Sequence, residues 1–325
     1  MIKVLKTYEI CDDLWQQIVD GFNESFEGHH TTVESFKNGF CTRNQLGYGY
    51  HAIDFDDESG EIRGFNTYSP TLYKNNLKVF VSGSTYVRKK YRKDIFIFMN
   101  MVKALREQGK EDGFFVNVGV PNKNSVNYAL KFMKATLVGY LDYYILPLRI
   151  SRCVKQSYLR PFDFFSKLFC QLFIKSQVLT SKLFNSMEEE VKYSLIVDDA
   201  FFRARFNSPI YHKYDDGYYR AYYHIVDEKG VQVAYLLDFR EKDKRTKLSL
   251  AKAIQYIILS EKVDAVLFVG YLRLKQNILF KVPKRFVPKP LPLTYTVFDK
   301  SKKEEFSDMS DVNNWNFSLM NFDVR

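Results

Sequence analysis

The stretch FVSGSTYVRKKYRKDIFIFMNMVKALREQG, residues 80–109, decides the fold. It opens as a β-prone run that ends near Val87. Five basic residues follow within six positions: Arg88, Lys89, Lys90, Arg92 and Lys93. From Ile95 the apolar residues recur at helical spacing to about Gln108, and Gly109 stands where it can end the helix. A strand running through a short loop into a helix leaves the first helical N–H groups exposed, with the helix dipole behind them. With basic side chains beside them, those groups make an anion site, and a pyrophosphate is the natural guest.

The flanking segments extend this pattern. Residues 2–8 alternate like a strand. Asp12 or Asp13 can cap a helix carrying Leu14, Trp15, Ile18, Val19 and Phe22. A second helix is expected over about 32–40. Strands at 48–55 and 62–68 are parted by the turn-forming DDESG of 56–60, and a third strand covers 77–87. Downstream come a buried strand at 114–120, a helix at 124–134 and a strand at 137–148. Antiparallel strands first, then strands alternating with helices, imply an α/β (α+β) class fold: a mixed, mostly antiparallel twisted sheet flanked by helices.

From about 190 the pattern partly repeats. Strands are expected at 193–197, 218–226 and 231–239, with a DEKG hairpin turn at 227–230. A helix over 248–261 and strands at 265–269 and 295–298 follow. Four prolines within 282–292 mark an extended edge or loop. The expectation is two similar mixed α/β domains, 1–150 and 191–325. Between them, 151–187 holds six basic residues and one acid, Asp163. Phe165, Leu168, Phe169, Leu172, Leu179 and Leu183 recur there at helical spacing. This 151–190 linker reads as a basic amphipathic helix whose Phe/Leu stripe is buried between the domains, or else lies on a membrane surface.

Composition narrows the partners. The 325 residues carry 48 basic and 38 acidic side chains, a net charge of +10 that favours polyanions without choosing among nucleotide phosphates, nucleic acid and an anionic membrane. Cys11, Cys41, Cys153 and Cys170 form no CxxC pair, so reduced, buried thiols in a cytoplasmic protein are expected, and no metal site. No signal peptide is apparent at the start, and no uncharged apolar run reaches the ~18 residues of a membrane span. Walker loops and dinucleotide fingerprints are absent.

The ordered set Val87, Tyr91 and Arg92, then Asn122, Asn124 and Ser125, then Val138, Gly139, Tyr143, Tyr144, Pro147 and Leu148 resembles the GNAT superfamily of N-acyltransferases. That family runs V-x-P-x-Y-R-G-K-G-I-F into a helix, then an Asn-x-Asn-Ser segment, then a closing V-G-x-x-x-Y-Y-x-x-P-L strand. The second half, with Phe202, Arg203, Arg205, Phe206, Pro209, Tyr211, Trp315 and Asp323, is similar to the partner domain of tandem members. The chain departs from the pattern at the family's two glycines, replaced by Lys93 and Ile95, or by Asp94 if one gap is allowed. The resemblance implies acetyl-coenzyme A or another acyl-coenzyme A as co-substrate. It would be held by Tyr86, Val87, Arg88, Arg92, Lys93, Asp94, Ile95, Phe96 and Asn124, with a strand amide near Tyr86 and Val87 polarising the thioester carbonyl. Tyr128 would protonate the leaving thiolate, and Glu34, with His29 and His30 as rivals, would act as base toward a small-molecule, sugar or peptide amine. Two other readings stay open: a FemAB-like aminoacyl-tRNA-dependent transferase, and a non-catalytic binding protein on the same scaffold.

Overall fold

The computed structural model describes residues 1–26, 28, 30–42, 44–123, 125–184, 191–241, 250–273 and 276–322. His29, Asn124 and Asp323 therefore lie outside the described residues. The first part of the chain forms β1 (Ile2–Lys6), α1 (Asp12–Ser25), α2 (Val33–Thr42), β2 (Tyr50–Phe55), β3 (Ile62–Tyr73), β4 (Leu77–Val87), α3 (Ile95–Glu111), β5 (Val116–Gly119), α4 (Val126–Lys131), β6 (Thr136–Tyr140) and β7 (Tyr143–Pro147). The remainder forms α5 (Ile150–Cys153), α6 (Phe162–Phe184), β8 (Tyr193–Ser194), α7 (Asp199–Arg205), β9 (Tyr211–Asp215), β10 (Tyr219–Asp227), β11 (Gln232–Glu241), α8 (Leu250–Ser260), β12 (Ala265–Val269), β13 (Phe280–Lys281), β14 (Pro292–Val297) and β15 (Trp315–Asn316).

Two mixed, mostly antiparallel sheets flanked by helices result. The first runs β1-β2-β3-β4-β5-β14-β6 and the second β13-β7-β12-β11-β10-β9. In each, one parallel pair interrupts the antiparallel ladder: β4 beside β5, and β11 beside β12. The chain division near 150 is crossed twice. β7 leaves the first half to pair with β12, and β14 returns to lie between β5 and β6. The expected single strand over 137–148 is thus two strands, one in each sheet, parted at Leu141 and Asp142.

Rings fill the core of the first sheet. Trp15 and Phe40 stack at 6.0 Å, and Phe80 lies flat on Phe114 at 4.2 Å between centroids. Gly109 does not end α3. It sits inside the helix, where a Cβ would meet Phe80 Cε2 at 2.4 Å, so its role is close packing on that ring. Asp12 and Asp13 lie in the first turn of α1, and Cys11 takes the cap position. Cys11 is exposed and Cys170 is the buried thiol, so the expectation of four buried cysteines fails.

The largest correction concerns α6. Its inward side, Cys170 and Ile174 with Phe173 and Val178, packs into the core that holds α8. Asp163 fixes the rotation by accepting from the Ser151 N–H at 2.8 Å and from its hydroxyl at 2.6 Å. The expected stripe therefore points out: Phe165 is 65%, Phe169 66%, Leu172 60% and Leu179 78% exposed. Leu183 lies in a part of the helix whose side chains are outside the description. Periodicity identified an apolar face correctly, but a second apolar face ninety degrees or more away was the one the core took.

Candidate functional site

β4 and β5 run side by side only from Val79 to Val81, opposite Val116 to Val118. Two local features then part them. Pro121 has no N–H and cannot extend the β5 ladder. On the other side, Gly83 and Ser84 of β4 stand opposite Thr67 alone, a β-bulge that adds twist and turns the strand away. Thr67 Oγ1 donates to the Ser84 carbonyl at 3.2 Å, and a Cβ on residue 83 would meet that same oxygen at 2.3 Å. The SGS run at 82–84 is thus read by its partner strand as a bulge that only glycine fits.

The gap between the strands opens into a cleft of about 810 Å³, within the range of small-molecule sites. One wall is the outer stripe of α3, Ile95, Phe98, Val102 and Arg106. Across from it stand Ser125, Tyr128 and Ala129 at α4, and the floor is Asn66, Tyr68, Ser82, Asn117, Thr294 and Thr296. Ser82 and Asn117 exchange hydrogen bonds at 2.9 and 2.8 Å across the fork. On the far side of Gly83 lies a second cavity of about 290 Å³, lined by Ser69, Ser84, Arg205, Asn321 and Phe322 among others. Ser82, Gly83 and Val120 line both spaces.

Tyr128 projects into the large cleft between rings, 5.2 Å edge-on from Phe98 and 5.1 Å stacked on Phe132. Its hydroxyl is buried with no hydrogen-bond partner among the described residues. Burial pushes this phenol above its ordinary pKa, so it remains a protonated donor at neutral pH. Arg106 enters deeper, with its guanidinium 5.4 Å from the Phe298 ring and a buried Nε that lacks a partner among the described residues.

The loop before α3 uses its charges internally. Arg88 pairs with Glu61 at 2.6 Å and Glu24 at 3.6 Å. Lys90 also bonds to Glu61, and that hydrogen bond heads the causes that hold this carboxyl below the usual range. Arg92 lines the cleft mouth but donates to the Val87 and Ser25 carbonyls at 3.0 and 3.1 Å. Asp94 caps α3, accepting from the Phe96 N–H at 2.9 Å. A carboxylate thus already occupies the helix start that a phosphate would use.

Of the residues expected at the site, Val87, Arg92, Asp94, Ile95 and Tyr128 line the cleft together. Lys93 is exposed on the loop and Phe96 is exposed in the first turn of α3. Tyr86 faces the other way, buried with its hydroxyl on the Ile18 carbonyl at 3.0 Å. Glu34 and His30 are exposed around α2 and are not among the cleft-lining residues. Gly83, Arg106 and Arg205 were not expected at the site. The run SGS inside a β-prone stretch was the available signal for the first. Nothing local distinguishes the two arginines from surface cations.

The second sheet repeats the device without the space. Leu237 is the extra residue between Tyr222–Asp238 and Tyr223–Leu236 pairings. Beyond it the fork is bridged by the chain's own end: Gly270 pairs with Ser318, and the Tyr271 N–H donates to the Phe317 carbonyl at 2.8 Å. A volume of about 30 Å³ remains there.

No family model matches the sequence, and no curated protein matches it. Solved structures do match. A GCN5-related N-acetyltransferase from Anabaena variabilis is 9% identical with a TM-score of 0.53, over 92% of this chain and 73% of that one. Another from Kribbella flavida is 10% identical at 0.53, over 92% and 72%. A protein of unknown function from Enterococcus faecalis, described as a probable N-acyltransferase, is 10% identical at 0.51, over 92% and 73%. The chain has the fold of the GCN5-related N-acetyltransferases, extended over both sheets.

Proposed function

We propose that the protein is an acyltransferase that takes an acyl group, acetyl among the candidates, from acyl-coenzyme A and passes it to an amine. The carrying observation is the Tyr128 hydroxyl, buried with no hydrogen-bond partner among the described residues, in a cleft that opens at a bulged strand fork. Acyl-coenzyme A supplies a thioester. In this reading it enters along α3, with the bulge at Gly83 and Ser84 offering an N–H outside the ladder to the carbonyl oxygen. That places the polarising amide earlier than Tyr86 and Val87. The amine approaches from the Arg205 side, and Tyr128 gives its proton to the departing sulfur. No carboxylate lines the Arg205 cavity among the described residues, so the amine attacks in its neutral form, the proton it then sheds passes to water, and water returns a proton to Tyr128 after the thiol leaves. On this reading 1–150, with β14 in exchange for β7, is the donor-binding unit, 191–325, with β7 in exchange for β14, the partner unit that walls the acceptor, and 151–190 the connector. Four free thiols fit a reducing, cytoplasmic setting.

The Asp94 cap favours the second reading, a binding protein that has lost the coenzyme. Calorimetry with acetyl-coenzyme A separates the two. Saturable binding supports the transferase, and its absence supports the binding protein. Nucleic acid retained through purification would point to the aminoacyl-tRNA reading instead. Tyr128→Phe should lower kcat by about a hundredfold while leaving affinity for acetyl-coenzyme A unchanged. Because burial raises the phenol's pKa, wild-type turnover should show no loss of this acid up to its ordinary value of ~10. Full activity in the variant would remove Tyr128 from the mechanism.

A further inference from the structure

The outward face of α6 has no counterpart in the core. Phe162, Phe164, Phe165, Leu168, Phe169, Leu172 and Leu179 all stand exposed along it. From Phe162 to Leu179 it runs about 25 Å. The face continues past the helix, because the exposed Phe169 stacks at 6.2 Å on the half-buried Phe173 at the edge of the core, and Phe173 in turn stacks on the exposed Phe280 of β13 at 6.3 Å. There the segment FKVPKRFVPKP, 280–290, adds an exposed Phe286 and the exposed cations Lys284, Arg285 and Lys289, with no acid. Lys155, Arg160 and Lys175 are exposed on or beside α6. Among the described residues the acids on the N-terminal side are engaged, Asp163 by Ser151 and Asp142 by Lys281 at 2.6 Å, while Glu188, Glu189 and Glu190, which follow α6 in the chain, lie outside the described residues.

We propose that this face seats the protein on a bilayer surface containing anionic phospholipid. Large apolar side chains flanked by cations that no acid opposes among the described residues match acyl chains beneath negative headgroups. A second copy fits worse, since a two-fold contact would bring the cations bordering one copy's face against those bordering the other's. Nucleic acid offers charge and its bases stack on phenylalanine rings, but they leave Leu168, Leu172 and Leu179 uncovered, which acyl chains do not. Among the described residues no helix is long and apolar enough to cross a membrane, so the contact is peripheral. The inference is independent of the acyl-transfer reading and its test uses no substrate.

The full chain is sedimented with vesicles of phosphatidylcholine, with and without phosphatidylglycerol. Binding is expected to the mixed vesicles only, and to weaken with added salt. Phe165→Asp/Phe169→Asp should lower partitioning by roughly a hundredfold, since two large apolar contacts are lost. Both side chains are exposed, so the variant's thermal midpoint should match wild type. Phe169→Trp adds a reporter, as both native tryptophans are fully buried. Its emission should shift to the blue on the mixed vesicles. Absence of sedimentation, or sedimentation indifferent to the double aspartate variant, overturns the proposal. So does a wild-type dimer in ultracentrifugation that the same variant dissolves.

Discussion

Replacing Gly83 with alanine tests the bulge on which the site is built. The new Cβ would lie 2.3 Å from Thr67 Oγ1, far inside contact, while its next neighbours, the Thr67 carbonyl and Cβ, stand at 3.4 and 3.5 Å. Thr67 is fully buried, so its hydroxyl cannot swing into solvent. Alanine gains about 0.5–1 kcal/mol from a less flexible unfolded chain. Against that, overpacking costs about 1–3 kcal/mol, and breaking the Thr67 to Ser84 bond adds about 1 kcal/mol. The clash wins, for a net loss of about 1–3.5 kcal/mol and a fall in Tm of roughly 2–5 °C. Thr67→Ala alone loses the hydrogen bond, at about 1 kcal/mol. With both changes the alanine methyl occupies the space the hydroxyl left, with ordinary contacts to either side. The double-mutant cycle should therefore show favourable coupling of about 2–4 kcal/mol. Calorimetric melts of the four proteins supply it. Additive losses would mean that residue 83 does not press on Thr67 and that the strand fork has another cause.

Asp94→Asn keeps the cap on α3 but removes the charge at the cleft mouth. Stability should fall by about 0.3–1 kcal/mol through the helix dipole, while acetyl-coenzyme A binds a few-fold tighter for loss of an exposed like charge. Weaker binding in the titration would put the phosphates elsewhere. Gly109→Ala should destabilise by about 1–2 kcal/mol, since the strain of pushing the buried Phe80 ring off Phe114 exceeds the ~1 kcal/mol gained in helix propensity. A raised melting temperature would show that α3 does not touch that ring.

Most elements were legible in the residues alone, because backbone periodicity is local. The strand into a basic loop into α3, the hairpin at 227–230 and β12 stand where the residues placed them. The sequence also placed Val87, Arg92, Asp94, Ile95 and Tyr128 near one another, through the order strand, loop, helix, strand, helix. Tertiary structure decided the rest. The exchange of β7 and β14 between sheets rests on backbone hydrogen bonds to partners more than a hundred residues away, and no side-chain pattern names those partners. The bulge exists only against Thr67, and Gly109 is explained only by Phe80. Charge at 88–94 was legible, but its internal use by Glu61, Ser25 and Phe96 was not, since side-chain pairing needs the folded chain. In α6 the pattern showed that apolar residues share a face. Which face the core covers was settled by α8 and by the tether from Asp163 to Ser151, because hydrophobic burial is non-directional and two apolar faces competed for one partner.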